Sequence, residues 1–240
     1  MRMSKLPGYG RVLLKVSGEA LQGKTTEPFD PEFLDYLGNE ISEVAELGYE
    51  VGIVVGGGNI FRGLSGKDFG VERVTGDYMG MLATLINCLA ISEALNRKGC
   101  KTRVLSPFFL PQVSDAVSWV NARQALEEGF VVLFAGGTGN PFFTTDSAAV
   151  LRALEAGCRV VLKATKVNGV YDKDPSMNPD AVFMPRLTYD EALSRNLGVM
   201  DATAFSLCRE HHLPIVVFNI FEPGNIRRAV MGERVGSLVN

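Results

Sequence analysis

"FVVLFAGGTGNPFFTTDSAAVLRALEAG", residues 130–157, carries a strand, a turn and a helix in one stretch. Its start, "FVVLF" (130–134), has no polar face and reads as a strand covered on both sides. Its end, "DSAAVLRALEAG" (146–157), reads as a helix that opens at Asp146 and stops at Gly157. Between them, "GGTGNPFFTT" gathers glycines, threonine hydroxyls and backbone N–H groups at a single junction. An open parallel sheet binds its ligands at such junctions, beyond the carboxyl ends of the strands. The stretch is one β–turn–α unit with a candidate binding turn at its centre.

The unit repeats in both directions. Short apolar runs recur at 12–16, 51–55, 102–106, 159–164 and 214–220. Helical spacing lies between them. One helix opens at Pro31, aligns Phe33, Leu34, Leu37, Ile41, Val44 and Ala45, and ends at Gly48. A second spans Asp77 to about Lys98, a third opens at the capping box Thr188-x-x-Glu191, and two more follow Asp201 and Pro223. Alternating β and α elements predict an α/β fold, a mostly parallel sheet with helices on both faces. The chain has 240 residues and no low-complexity linker, so one continuous core is expected. The stretch 165–185, with "KVNGVYDKDPSMNPDA", concentrates turn residues and reads as a hinge, a substrate loop or a surface excursion. The tract "YMGMLATLINCLAI" (78–91) is apolar nearly all round, so its helix is either central or packed against another subunit.

Bulk composition narrows the partners. Lys+Arg total 24 against 27 Asp+Glu, a net charge of −3, so no global basic field invites nucleic acid. The 78–91 tract is shorter than a membrane span, and the first residues do not resemble a leader peptide. Cys88, Cys100, Cys158 and Cys208 form no CxxC pair and read as free thiols of a reducing compartment. The expectation is a cytoplasmic protein with neither a membrane nor a nucleic-acid partner.

Three turns could seat phosphate: "KVSGEALQGKTT" (15–26), "GGGNIFRG" (56–63) and the turn after residue 135. The first contains a decoy. Gly18, Gly23, Lys24 and Thr25 fit the phosphate-loop pattern G-x-x-x-x-G-K-[ST]. That pattern works only when its lysine opens a helix at once, and here Pro28 and Pro31 delay the helix to Pro31. The dinucleotide fingerprint fails as well, because "GGGNIF" and "GTGNPF" put Phe where the third glycine belongs. Lys15 is more informative. It interrupts an aliphatic strand just before the turn, where a lysine needs an anionic partner, and Lys163 repeats the arrangement on another strand. With Asp146 on a nearby helix start, the two lysines suggest a phosphoryl-transfer centre. Singly, each is equally a strand-end lysine or a helix N-cap.

"LLKVSGEAL", "VGGGNIFRG", "TGDYMGMLAT", "GTGNPFFTTDSAA", "KATKVNGVYDKDP" and "LPIVVFN" together resemble the bacterial uridylate kinases of the amino acid kinase superfamily, from about Arg11 to Val239. The resemblance implies a single domain over 1–240, a three-layer α/β/α sandwich around a mainly parallel sheet. Its acceptor side would run over roughly 11–155 and its ATP side over roughly 156–240. The implied reaction is ATP + UMP giving ADP + UDP in pyrimidine nucleotide synthesis, with Mg2+ carried on the ATP phosphates and no metal held by the protein. Lys15, Asp146 and Lys163 would be catalytic. Lys15, Val16, Ser17 and Gly18 would meet the ATP phosphates, Gly58 and Arg62 would join them in binding ATP where the two phosphate chains meet, and Thr165, Tyr171 and Asp174 would meet adenine and its ribose. Gly57 and the run Thr138, Gly139, Asn140, Pro141, Phe142, Phe143, Thr144 and Thr145 would hold UMP, with Asp77 gripping its ribose. UMP is already a nucleophilic dianion at neutral pH, since the second phosphate pKa is about 6. No general base is needed, so His211 and His212, at a helix end, need no catalytic role.

The resemblance further implies a homo-oligomer, a hexamer, inhibited by UTP and activated by GTP between subunits. This chain has Arg103 but Asn96 and Phe130 at the other effector positions, which leaves GTP activation open. Two other functions remain readable: a superfamily kinase acting on a carboxylate or carbamate, and a non-catalytic nucleotide-binding relative. The "GTGNPFFTTD" stretch argues against the first, and Lys15, Asp146 and Lys163 against the second.

Overall fold

The computed structural model describes residues 6–61, 70–195 and 197–240. Strand β1 (Arg11–Val16) leads through a short 3-10 turn, Gly18–Gln22, to helix α1 (Pro31–Glu46). There follow β2 (Glu50–Val55), α2 (Arg73–Arg97), β3 (Thr102–Ser106), β4 (Asp115–Ala116), α3 (Trp119–Glu127) and β5 (Val131–Phe134). The second half holds α4 (Thr145–Ala156), β6 (Val161–Thr165), β7 (Val170–Tyr171), β8 (Phe183–Met184) and β9 (Arg186–Leu187). It ends with α5 (Tyr189–Ser194), α6 (Ala202–Glu210), β10 (Ile215–Asn219), α7 (Asn225–Val230) and β11 (Ser237–Val239).

One sheet runs β4-β3-β5-β2-β1-β6-β10-β11-β9, and every neighbouring pair is parallel except β10 with β11. The period of two along β1 sorts its side chains between two cores. Val12, Leu14 and Val16 face Phe33, Leu37 and Ile41 of α1, Leu85 and Ile91 of α2, and Ile226 of α7. Leu13 faces the opposite way, into a core with Leu126 of α3, Val150 and Ala153 of α4, Ala192 of α5 and Phe205 of α6. Helices thus cover both faces, which is the expected three-layer α/β/α sandwich. Lys15 shares the parity of Leu13, so its side chain rises on the α4 face.

Local chemistry explains the element ends. Asp30 caps α1 by accepting from the Glu32 amide at 2.9 Å, and Pro31 takes the first helical position. Thr188 and Glu191 close their capping box on α5. Gly157 ends α4 at φ 73°, a left-handed cap that suits glycine. All four cysteines are free, and burial pushes the Cys158 and Cys208 thiols up to about 12.

Three expectations need correction. Helix α2 begins at Arg73, not Asp77, so Asp77 lies in its second turn. The stretch 165–185 is no mere surface excursion. β7 and β8 pair antiparallel within it, the Val170 amide donates to Ser237 Oγ at 2.8 Å, and the Tyr171 and Phe183 rings meet edge-on at 5.5 Å. The third concerns α2, whose two faces differ. Met81, Leu85, Cys88, Ile91 and Leu95 are buried, while Tyr78, Met79, Leu82, Ile86 and Leu89 are exposed. By length and composition alone α2 could cross a membrane, but half of its apolar stretch is buried inside the protein, as in a core helix.

Candidate active site

The parallel register sets Lys15 of β1 directly beside Lys163 of β6. Helix α4 brings Asp146 onto both. Its Oδ1 forms an ion pair with Lys15 Nζ at 2.8 Å, and Lys163 Nζ donates to Oδ2 at 2.7 Å. Lys163 Nζ also donates to the Val199 carbonyl. Burial works to raise the Asp146 pKa, but the charges and hydrogen bonds of the two lysines outweigh it and hold the carboxyl below its usual range. For Lys163 burial lowers the pKa and Asp146 raises it, while the like charge of Lys15 lowers it again. The net position is below an ordinary lysine. Two cations and one anion leave a net positive centre at the carboxyl edge of the sheet.

Asp146 is free for this work because it is not the helix cap. Thr144 is the N-cap, and its Oγ1 accepts from the Asp146 amide at 3.1 Å and the Ser147 amide at 3.2 Å. The plain N-cap explanation of Asp146 therefore fails. A carboxylate in the first turn of a helix still gains from the helix dipole.

Two cavities flank the centre. A cavity of about 470 Å³ is lined by Gly57, Gly58, Asp77, Thr138, Asn140 and Thr145, among others. Thr145 is the residue before Asp146. A second cavity, of about 410 Å³, is lined by Lys163, Thr165, Tyr171, Asp174 and Val199, again with others. Lys163 is the residue that Asp146 binds. Lys163 of the charged centre lines the second space and Asp146 directly follows a residue that lines the first, an arrangement suited to passing a group from one ligand to the other.

The profile of the amino acid kinase family matches residues 10–219. The chain belongs to the uridylate kinases of that family. It is 52% identical to the uridylate kinase of Vibrio campbellii over 240 residues, covering 100% of this chain and 99% of that protein. The uridylate kinase of Aeromonas salmonicida is likewise 52% identical over 240 residues, covering 100% of this chain and 98% of that protein. The crystal structure of the UMP kinase from Bacillus anthracis superposes with a TM-score of 0.94 at 40% identity, over 97% of this chain and 96% of that one.

Of the residues expected at the uridylate kinase acceptor site, Gly57, Asp77, Thr138, Asn140, Phe143, Thr144 and Thr145 line the larger cavity. Gly139, Pro141 and Phe142 belong to the same turn but are not among its lining residues. Gly58, expected on the ATP side, lines the larger cavity and not the second one, because it belongs to the turn after β2. Thr165, Tyr171 and Asp174 all line the second cavity. Val16 is buried at the end of β1, and Ser17 and Gly18 follow it in the turn. Arg62 lies outside the described residues. The decoy is resolved too: Lys24 is exposed, no helix follows it directly, and its amide donates to Asp30 Oδ2 at 3.1 Å.

Several of these glycines also answer to packing within the protein. A Cβ at Gly57 would lie 2.6 Å from the Gly80 carbonyl of α2, and one at Gly18 2.5 Å from the Gly56 carbonyl. Backbone packs on backbone there. The turn after β5 needs glycine for φ, since Gly136 and Gly139 stand at 72° and 82° against Pro107.

Several supporting residues escaped the sequence. Asp201, read only as a helix start, accepts from Thr144 Oγ1, from Ser147 Oγ at 3.1 Å and from the Ala204 amide at 2.9 Å. It ties the start of α6 to the cap that aims Asp146. Thr84 accepts from the Gly136 amide at 2.8 Å, and the buried Asn87 donates to the Gly56 carbonyl at 2.6 Å. These are long-range contacts, and no local spacing encodes them.

Proposed function

We infer that this chain is a UMP kinase, moving the γ-phosphoryl group of ATP to UMP to give UDP and ADP. The single observation that carries the reading is the Lys15–Asp146–Lys163 centre at the border of two cavities. A phosphate oxygen of UMP attacks the γ-phosphorus, the bond to the β-phosphate oxygen breaks, and ADP leaves with the electron pair. Mutual repulsion of two phosphate chains is the main obstacle. The two ammonium groups offset it, and they do so without reorganising, because Asp146 already holds them in place. MgATP is the donor substrate. Both Asp146 oxygens are engaged by lysine, and Mg2+ is read as arriving on the ATP phosphates.

In this reading UMP occupies the larger cavity and ATP the second one, with acceptor residues in 11–155 and donor residues in 156–240. The turn from Thr138 to Thr145 offers backbone groups that match the acceptor–donor–acceptor edge of uracil and mispair with the amino group of cytosine. UTP fits as a feedback inhibitor because it needs only the acceptor and phosphate seats. GTP activation stays a separate question, since Arg103 stacks on the Phe130 ring, 4.6 Å from its centroid. We also read the enzyme as cytoplasmic and, from the family resemblance, as a homohexamer; the exposed apolar stripe of α2 supports a subunit contact. A coupled assay of ADP release with UMP, CMP, aspartate and carbamate tests the function. UMP should be the strongly preferred acceptor. Equal kcat/KM for CMP, or turnover of a carboxylate instead, would overturn the reading.

A further inference from the structure

Arg73 has no role in the chemistry above, yet it lines the larger cavity. It opens α2, and its Nε donates to both oxygens of Asp77, at 2.8 and 2.9 Å. Asp77 Oδ2 also accepts from the Phe142 amide at 2.8 Å. The Arg73 guanidinium in turn lies over the Phe142 ring, with Cζ 5.7 Å from the centroid. Phe142 holds φ at 71°, a conformation uncommon outside glycine, so its amide is presented by a strained turn. The contacts close a ring that joins the first turns of α2 to the turn after β5.

A carboxylate has about four acceptor positions on its two oxygens. The Phe142 amide takes one on Oδ2, and the Arg73 Nε–H is shared across both oxygens, which leaves Oδ1 the less occupied oxygen at the cavity wall. A carboxylate repels phosphate and gains nothing from the uracil carbonyls. On a nucleoside monophosphate its partners are the ribose hydroxyls, the contact that the resemblance to uridylate kinases already implies for Asp77. We propose that Arg73 is a positioning residue for the acceptor: it holds Asp77 turned so that Oδ1 receives the ribose hydroxyls, and so sets the preference for a ribonucleotide over a deoxyribonucleotide. The proposal rests on the UMP kinase reading. The Arg73 side chain is 48% exposed, so its removal leaves the core intact.

Steady-state kinetics with UMP and 2′-deoxy-UMP test it on the wild type, Arg73→Met, Asp77→Asn and the double variant, with thermal melts as the folding check. Arg73→Met should raise KM for UMP by ~10-fold and lower the UMP to deoxy-UMP ratio of kcat/KM by ~10-fold, with kcat and KM for ATP within ~2-fold. Arg73→Gln should behave alike. In the Asp77→Asn background Arg73→Met should change the ratio no further. Equal losses for both nucleotides, or additive effects in the double variant, overturn the proposal alone. A wild type that turns over neither nucleotide overturns the parent reading and this inference with it.

Discussion

Lys15 and Lys163 are register partners on neighbouring parallel strands, and one oxygen of the Asp146 carboxylate meets each ammonium group. Two like charges side by side on a sheet face would repel strongly at the low effective dielectric of a nearly enclosed site. The carboxylate from α4 is what makes the pair tolerable. It also leaves the centre one positive charge in excess, which is the electrostatic complement of a migrating phosphoryl group.

Asp146→Asn should fold yet lose most turnover. Thr144 caps α4, so the helix start does not depend on residue 146. The amide cannot offset the two ammonium charges, and their positions relax. We expect kcat to fall by ~10²-fold or more, as when one preorganised electrostatic group is removed, with circular dichroism unchanged. Near-normal kcat in a folded variant would mean that Asp146 has no part in placing the lysines.

Much of this was legible from local pattern. The apolar runs carry the central strands because strands buried on both faces need no alternation, and Pro31, Gly157 and Thr188-x-x-Glu191 mark helix ends by chemistry confined to a few neighbours. Helix α3 was not legible. It buries only Ala122, Ala125 and Leu126 while Trp119 and Val120 stay exposed, so its apolar period is weak. The short strands β4, β7, β8 and β9 exist through distant pairing, which two residues cannot announce. The lysines and Asp146 were visible as misfits in apolar surroundings. Arg73 and Asp201 were not, since an exposed arginine and a helix cap look ordinary until the fold brings their partners close.

The depressed Lys163 pKa gives a pH signature. Folding lowers this pKa, so between the folded and unfolded values the unfolded chain binds more protons, and the Lys163 contribution to stability rises with pH across that window. Below both values the group is a constant cost. For catalysis the consequence is opposite, because a neutral Lys163 no longer offsets phosphate charge. The kcat/KM for MgATP, which reports the free enzyme, should decline with a midpoint below the ordinary lysine value of about 10.4. A profile flat to that value would show that the charge on Lys163 is not required.

The stripe Leu82, Ile86 and Leu89 on α2, with Tyr78 and Met79 beside it, is spaced as one helix face and is exposed among the described residues. We propose that a second copy covers it. Light scattering should give the wild type a mass well above one 26.0 kDa chain, and Leu82→Glu with Ile86→Glu should lower it. A wild type that scatters as a single chain at micromolar concentration would remove the oligomer from the proposal.

Lys15→Ala and Lys24→Ala should part company, although a motif search would choose Lys24. Lys15 is held by Asp146 at the border of the two cavities, and its loss removes charge stabilisation from the transition state directly. It also leaves Asp146 with Lys163 alone, which cancels the local positive excess. We expect kcat to fall by at least ~10²-fold. Lys24 is exposed beyond the 3-10 turn, and its amide, which the substitution keeps, is what bonds Asp30 at the cap of α1. Lys24→Ala should therefore alter kcat/KM by only a few-fold, a surface-residue effect. Both variants are to be compared at saturating MgATP and UMP after a thermal melt confirms folding. If Lys24→Ala proved dead while Lys15→Ala remained active, phosphate would be bound at the glycine-lysine turn, and the charged centre on the α4 face would not be the reaction site.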